Sequence, residues 1–101
     1  MLILPIKKKW FDMILSGEKK EEYREIKPYY TSRFERMWEN SGYWNYDDRY
    51  AVLFRNGYSH SSPSFVAEVS LGIGTGKSEW GADPGHRYYV LRIHKVHRKD
   101  E

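Results

Sequence analysis

The chain opens on a short apolar run, Met1 to Ile6, with Pro5 near its end. The pattern predicts a strand whose proline lies at its end or on a sheet edge, because proline has no N–H to give to a ladder. In the next stretch Trp10, Phe11, Ile14 and Leu15 recur at one, three and four residues, the spacing of one helical face. Gly17 follows the last of them, where a helix takes a left-handed terminator, so a helix is expected over about residues 7–16. The charged stretch Lys19 to Ile26 is bounded by Gly17 and Pro28. It reads as a strand in preference to a helix, with Lys20, Glu22, Arg24 and Ile26 on one face and Lys19, Glu21, Tyr23 and Glu25 on the other.

Further along, Thr31 or Ser32 is placed to cap a second helix, and Ser32 with Glu35 fits a capping box. Phe34, Met37 and Trp38 would share its buried face, and its end is expected near residues 40–42. A polar turn follows over 45–49. Residues 50–55 read as a strand, Asn56-Gly57 as a turn and 58–63 as a serine-rich loop. Phe65, Ala67, Val69 and Leu71 alternate with polar or smaller neighbours, which predicts a strand over 64–71. The five-glycine stretch 72–85 reads as a loop, and 87–96 as the last strand. About five strands with two short helices between them imply an α+β domain, a small mixed or antiparallel β-barrel, and not a doubly wound sheet.

Composition narrows the picture. The chain has 101 residues, the size of one domain, so 1–101 is expected to be a single unit. No apolar run reaches the ~18 residues of a membrane span, and no secretory signal is evident. Zero cysteines exclude disulfides, zinc ribbons, Fe–S clusters and thiol catalysis; the cytoplasm is the expected compartment. The net charge of +3 and 17% aromatic content suit a nucleic-acid partner, since bases stack on aromatic rings while Lys and Arg hold phosphates. Bulky aromatics filling a small core explain the same composition equally well.

Three features carry possible chemistry. Gly76-Lys77-Ser78 looks like the end of a P-loop, but position 71 is leucine where a glycine is needed, and Trp80, Gly81, Pro84 and Gly85 forbid the following helix. The segment reads as a connecting loop or as a ligand lid anchored by Trp80. His60, His86, His94 and His97 lack metal-ligand spacing, so no metal or other cofactor is expected. The third feature is Lys19, Glu22 and Arg24. A carboxylate at a barrel mouth can accept from a base's exocyclic amine, an arginine can stack or pair with phosphate, and a desolvated lysine can become a base. Lys19 and Glu22 converge only if Lys19 sits in the turn before the strand.

Gly17, Lys19, Glu22 and Arg24 within GEKKEEYR resemble the GxKxxExR signature of the ASCH domain family, and the order strand, helix ending at glycine, charged strand is similar too. The segment 80–85 before a Tyr-rich last strand looks like that of small phage and bacterial members. The resemblance implies a PUA-like β-barrel that binds single-stranded RNA or a small modified nucleoside in a cleft lined by Lys19, Glu22 and Arg24. Tyr29, Tyr30, Trp44 and Trp80 are candidates to stack on bases, and Arg33 to add positive charge. One branch of the family resembles metal-independent amidohydrolases acting on N4-acetylcytidine; it implies Lys19 and Glu22 as catalytic residues. Here Glu22 stands where that branch has a threonine, and the later glutamate would be Glu68 or Glu79. Ribonuclease activity ranks third, and a protein-interaction domain using the aromatic surface is the non-nucleic-acid alternative.

Overall fold

A computed structural model describes residues 1–40 and 48–98. Strand β1 (Leu2–Pro5) leads into helix α1 (Lys8–Leu15), strand β2 (Glu21–Arg24) and helix α2 (Pro28–Asn40). Strands β3 (Tyr50–Arg55), β4 (Ser64–Thr75) and β5 (Arg87–His97) follow, with a single 3-10 turn at Ser78–Trp80. The five strands form one mixed sheet in the order β1-β3-β4-β5-β2, curled into a half-barrel. Only β1 and β3 run parallel; the other pairs are antiparallel. The α+β class expected from the hydrophobic pattern is the class observed.

Each buried set follows from its periodicity. Val52 and Phe54 of β3, Phe65, Ala67, Val69 and Leu71 of β4, and Tyr89 and Leu91 of β5 alternate into the core. Phe11 and Ile14 of α1 and Phe34 of α2 cover them, with Met37 and Trp38 packed alongside. Phe65 is the hub between layers: its ring lies 4.8 Å from Phe11 and 5.6 Å from Phe54. No helix among the described residues is long and apolar enough to cross a membrane.

Three expected boundaries are corrected. Helix α2 starts at Pro28, three residues before the expected cap, because proline's fixed φ and missing N–H suit the first helical position. Lys27 then takes the capping place, its carbonyl accepting from the N–H groups of Tyr30 and Thr31, while the Ser32 hydroxyl bonds back to the Tyr29 carbonyl inside the helix. The strand expected at 64–71 runs on through 72–75, since β5 offers Val90, Tyr89, Tyr88 and Arg87 as partners for this glycine-rich stretch. The charged strand is short: Lys19 and Lys20 lie in the turn before β2. The polar turn expected at 45–49 falls mostly outside the described residues.

The curl has one consequence for function. β1 and β2 are the two free edges of the sheet, and the half-barrel brings them toward each other. Arg24 of β2 spans the gap, its guanidinium donating to the Pro5 carbonyl of β1 at 2.8 Å. Proline at an edge strand leaves that carbonyl available without an N–H beside it.

Candidate functional site

The site is built on the turn that ends α1. Gly17 adopts φ +87°, as a helix terminator must, and its N–H bonds the Ile14 carbonyl. The Lys19 N–H then bonds the Met13 carbonyl, which turns the Lys19 side chain inward. In β2, Glu22 and Arg24 are two apart and share a face. The three side chains meet because Lys19 lies ahead of the strand, the condition under which they could converge: Lys19 Nζ lies 3.0 Å from one Glu22 oxygen, and Arg24 Nη2 lies 2.8 Å from the other.

This cluster is deeply buried. Lys19 is 1% exposed and Glu22 5%. The Lys19 ammonium also donates to the Trp80 carbonyl and sits 4.4 Å from the centre of the Trp10 ring. Burial pushes its pKa down, and the Glu22 carboxylate pushes back. Arg24 adds a bond to the Tyr30 hydroxyl at 3.2 Å. Of its five N–H donors, Nη2 spends two on Glu22 and Pro5 and Nη1 one on Tyr30; Nε and the second Nη1 hydrogen have no partner among the described residues.

Above the cluster lies a cleft of about 820 Å³, at the seam where the half-barrel stays open. Its lining comes from both free sheet edges, from the start of α2 and from the 56–58 turn. Seven of the lining residues are aromatic, and four cations (Lys7, Arg24, Lys27, Arg33) face three carboxylates (Glu22, Glu25, Asp83). Tyr29 is 52% exposed at the rim, with the Arg33 guanidinium stacked 3.5 Å from its ring centre. Tyr30 is more enclosed, between Arg24, Lys27 and Phe34. The first turn of α2 holds no acid, so its positive helix end faces the cleft uncompensated.

The 77–83 segment forms one wall and is held at several points. Lys19 grips the Trp80 carbonyl, the Lys77 N–H donates to the Tyr23 hydroxyl at 2.9 Å, and the Asp83 N–H donates to the Tyr88 hydroxyl at 2.9 Å. Gly81 lies against the Trp10 ring at φ +101°, with no room for a side chain. Trp80 lines the cleft while Lys77 covers its ring at 4.6 Å.

Of the expected site residues, Glu22, Arg24, Tyr29, Tyr30, Arg33 and Trp80 therefore line one cleft. Lys19 lies beneath it and is not part of the lining. Trp44 lies outside the described residues. Glu68 sits apart on β4, bonded to His97 at 2.6 Å, and Glu79 does not line the cleft. Sequence reasoning missed Trp10, Tyr23 and Tyr58. Trp10 was visible only as a helix-face residue. Tyr23 stands inside the signature, and its hydroxyl joins Glu21 at 2.8 Å to the Lys77 backbone. No family model, curated protein or solved structure matches the chain.

Proposed function

We propose that the protein binds single-stranded RNA or a modified nucleobase in this cleft. The observation that carries the reading is the Glu22 carboxylate clasped between Lys19 and Arg24 at the base of an aromatic-walled cleft, with two Arg24 donors left without a partner among the described residues. A base edge offers carbonyl and ring-nitrogen acceptors to such donors, and Glu22 has lone pairs left for an exocyclic amine. Tyr29, stiffened by Arg33, supplies a stacking face at the rim. Lys27, Arg33 and the acid-free start of α2 suit an attached phosphate. Lys19 acts from below by fixing Glu22. The resemblance of residues 17–24 to the ASCH signature supports the same reading, as does the half-barrel frame of a PUA-like domain.

The test is a titration of amide resonances with a panel of nucleosides, N4-acetylcytidine included, and with a short mixed-sequence RNA. Shifts at Glu22, Arg24 and Tyr30 are expected for at least one ligand. Arg24→Lys keeps the charge but loses the fork and should weaken binding about tenfold. No shift with any ligand would remove the reading.

The burial of Lys19 beside Glu22 favours one second reading, amide hydrolysis of an N4-acetylcytidine-type nucleoside, because burial lowers the lysine's pKa toward that of a base. Lys19 would then need the 77–83 wall to lift, since Trp80 and Glu22 occupy its ammonium. Acetate release that disappears in Lys19→Met supports the enzyme; binding without product supports the reader.

A further inference from the structure

A second concavity, about 430 Å³, lies beyond α2 from the cleft. Arg33 and Arg36 of α2 and Arg49, just before β3, line it together with Tyr50. Met37 and Leu2 make its floor apolar. No carboxylate belongs to the lining, and none of the three arginines forms an ion pair among the described residues. Outside the lining, the Glu68 carboxylate feels the Arg49 charge but is already bonded to His97.

Arg33 is held by the Tyr29 carbonyl and ring, but no carboxylate among the described residues balances the three guanidinium charges at this pocket, and they repel each other. An anion changes that balance. The second observation is independent of charge: Tyr50 is 7% exposed, yet its buried hydroxyl has no hydrogen-bond partner among the described residues. Buried hydroxyls are nearly always satisfied; Tyr50 lines the pocket while its hydroxyl is closed to solvent in the free protein, so an anion reaches it only as the pocket's side chains shift aside. A bound oxyanion supplies the acceptor that the hydroxyl lacks.

Arg33 lines both this pocket and the aromatic cleft. We propose that the pocket is a phosphodiester subsite, so that an RNA strand with one base in the cleft crosses α2 at Arg33 and sets a neighbouring phosphate among Arg36, Arg49 and the Tyr50 hydroxyl. The proposal rests on the RNA-binding reading of the cleft and extends it: the ligand is an oligonucleotide, not a free nucleoside. Met37 and Leu2 give the sugar or base of that neighbouring nucleotide an apolar surface.

The test is fluorescence anisotropy of a labelled mixed-sequence RNA hexamer from 50 to 200 mM salt, run beside nucleoside titrations of the cleft by amide shifts. Arg36→Ala/Arg49→Ala should bind the hexamer about tenfold more weakly and lower the salt slope by about 1.4, two single-strand contacts at about 0.7 each. Its nucleoside shifts at Glu22 and Arg24 should be unchanged. Tyr50→Phe should weaken the hexamer about tenfold, the lower end of the worth of one hydrogen bond to a charged group, while the melting temperature of the free protein holds or rises because an unpaired buried hydroxyl is gone. Unchanged hexamer affinity and slope in the arginine pair overturn the subsite, as does full affinity in Tyr50→Phe. So does displacement of the hexamer by polyglutamate at equal charge, which would make the arginines a general polyanion or acidic-protein surface. If nucleosides bind and the hexamer gains nothing over them, the subsite fails and the cleft reading stands. If the hexamer depends on Arg36 and Arg49 but nucleosides leave the cleft silent, the subsite stands and the cleft reading fails.

Discussion

The base of the cleft and the outer side of α1 carry the same chemistry in opposite settings. At the base of the cleft, Lys19 and Arg24 share Glu22, with Lys19 and Glu22 buried and Arg24 nearly so. On α1, Lys8 holds Asp12 at 2.6 Å, with both side chains more than half exposed. The shorter pair is the weaker one. Solvent screens it, and its partners stay hydrated when they separate. The buried cluster has no such alternative: removing the shared carboxylate strands both cations in a low-dielectric interior. Distance alone thus says little about what an ion pair does; burial decides whether it is an ornament of the surface or a condition of the fold.

The largest effect should come from the shared acid. Glu22→Gln keeps the shape but leaves two cations without their carboxylate, and should cost about 3–5 kcal/mol in denaturant unfolding. Lys19→Met leaves Glu22 paired with Arg24 and unpairs only the Trp80 carbonyl, so its cost should be smaller, about 1–3 kcal/mol. Equal costs, or a larger one for Lys19→Met, would mean that Glu22 is not the centre of the cluster.

This asymmetry is partly legible in the sequence. The helix stop at Gly17 and the two-residue spacing of Glu22 and Arg24 are local facts; they allow Lys19 to join the pair only from a turn, although the strand pattern by itself puts Lys19 on the opposite face. Helix and strand periods likewise placed Phe11, Ile14, Phe65 and Leu71 in the core. What local pattern does not hold is the curl of the sheet. The Pro5 and Trp80 carbonyls are backbone groups with no sequence signature, and they reach Arg24 and Lys19 only because distant edges close on each other. Residues 72–75 resembled a loop because glycine favours loops; a long partner strand overrode that preference. The Ser32 and Glu35 capping box was outweighed by Pro28, whose ring settles the helix start earlier.

The wall over Lys19 offers the next test of how firmly the cluster is enclosed. A Cβ on Gly76 would lie 2.5 Å from the Tyr23 ring and 2.8 Å from the Ala82 Cβ. That ring is held by bonds at its hydroxyl and cannot swing away freely. Gly76→Ala should therefore cost about 1–3 kcal/mol. Gly74, two residues earlier, has nothing within 4 Å of a new Cβ, so Gly74→Ala should stay within about 0.5 kcal/mol of wild type. Similar costs at both positions would show that the wall yields.

Alkaline pH separates the two regions further. Burial holds the Lys19 pKa below its ordinary 10.5. Between that lowered value and 10.5 the unfolded chain binds the extra proton, so stability contributed through Lys19 rises with pH across this interval. The Tyr23 phenol, pushed up by its own burial, acts in the opposite direction, but it is present in wild type and variant alike. The stability gap between wild type and Lys19→Met should accordingly widen as pH climbs toward 10.5. A gap that stays level or narrows would mean that the lysine's burial carries no proton-linked cost.

The smallest expected change lies at the exposed pair. Lys8 precedes Asp12 by four residues, the weaker orientation, and its positive charge lies in the first turn, where the helix dipole disfavours it. Removing the pair by Asp12→Ala forfeits about 0.3–0.5 kcal/mol at most. Alanine returns about as much, since aspartate in a helix interior is about 0.5–0.7 kcal/mol poorer than alanine. Asp12→Ala should unfold within about 0.3 kcal/mol of wild type, on either side of it. A loss above about 1 kcal/mol, set beside the Glu22→Gln result, would break the contrast between the two regions, because an ion pair open to water would then be supporting the fold much as a buried one does.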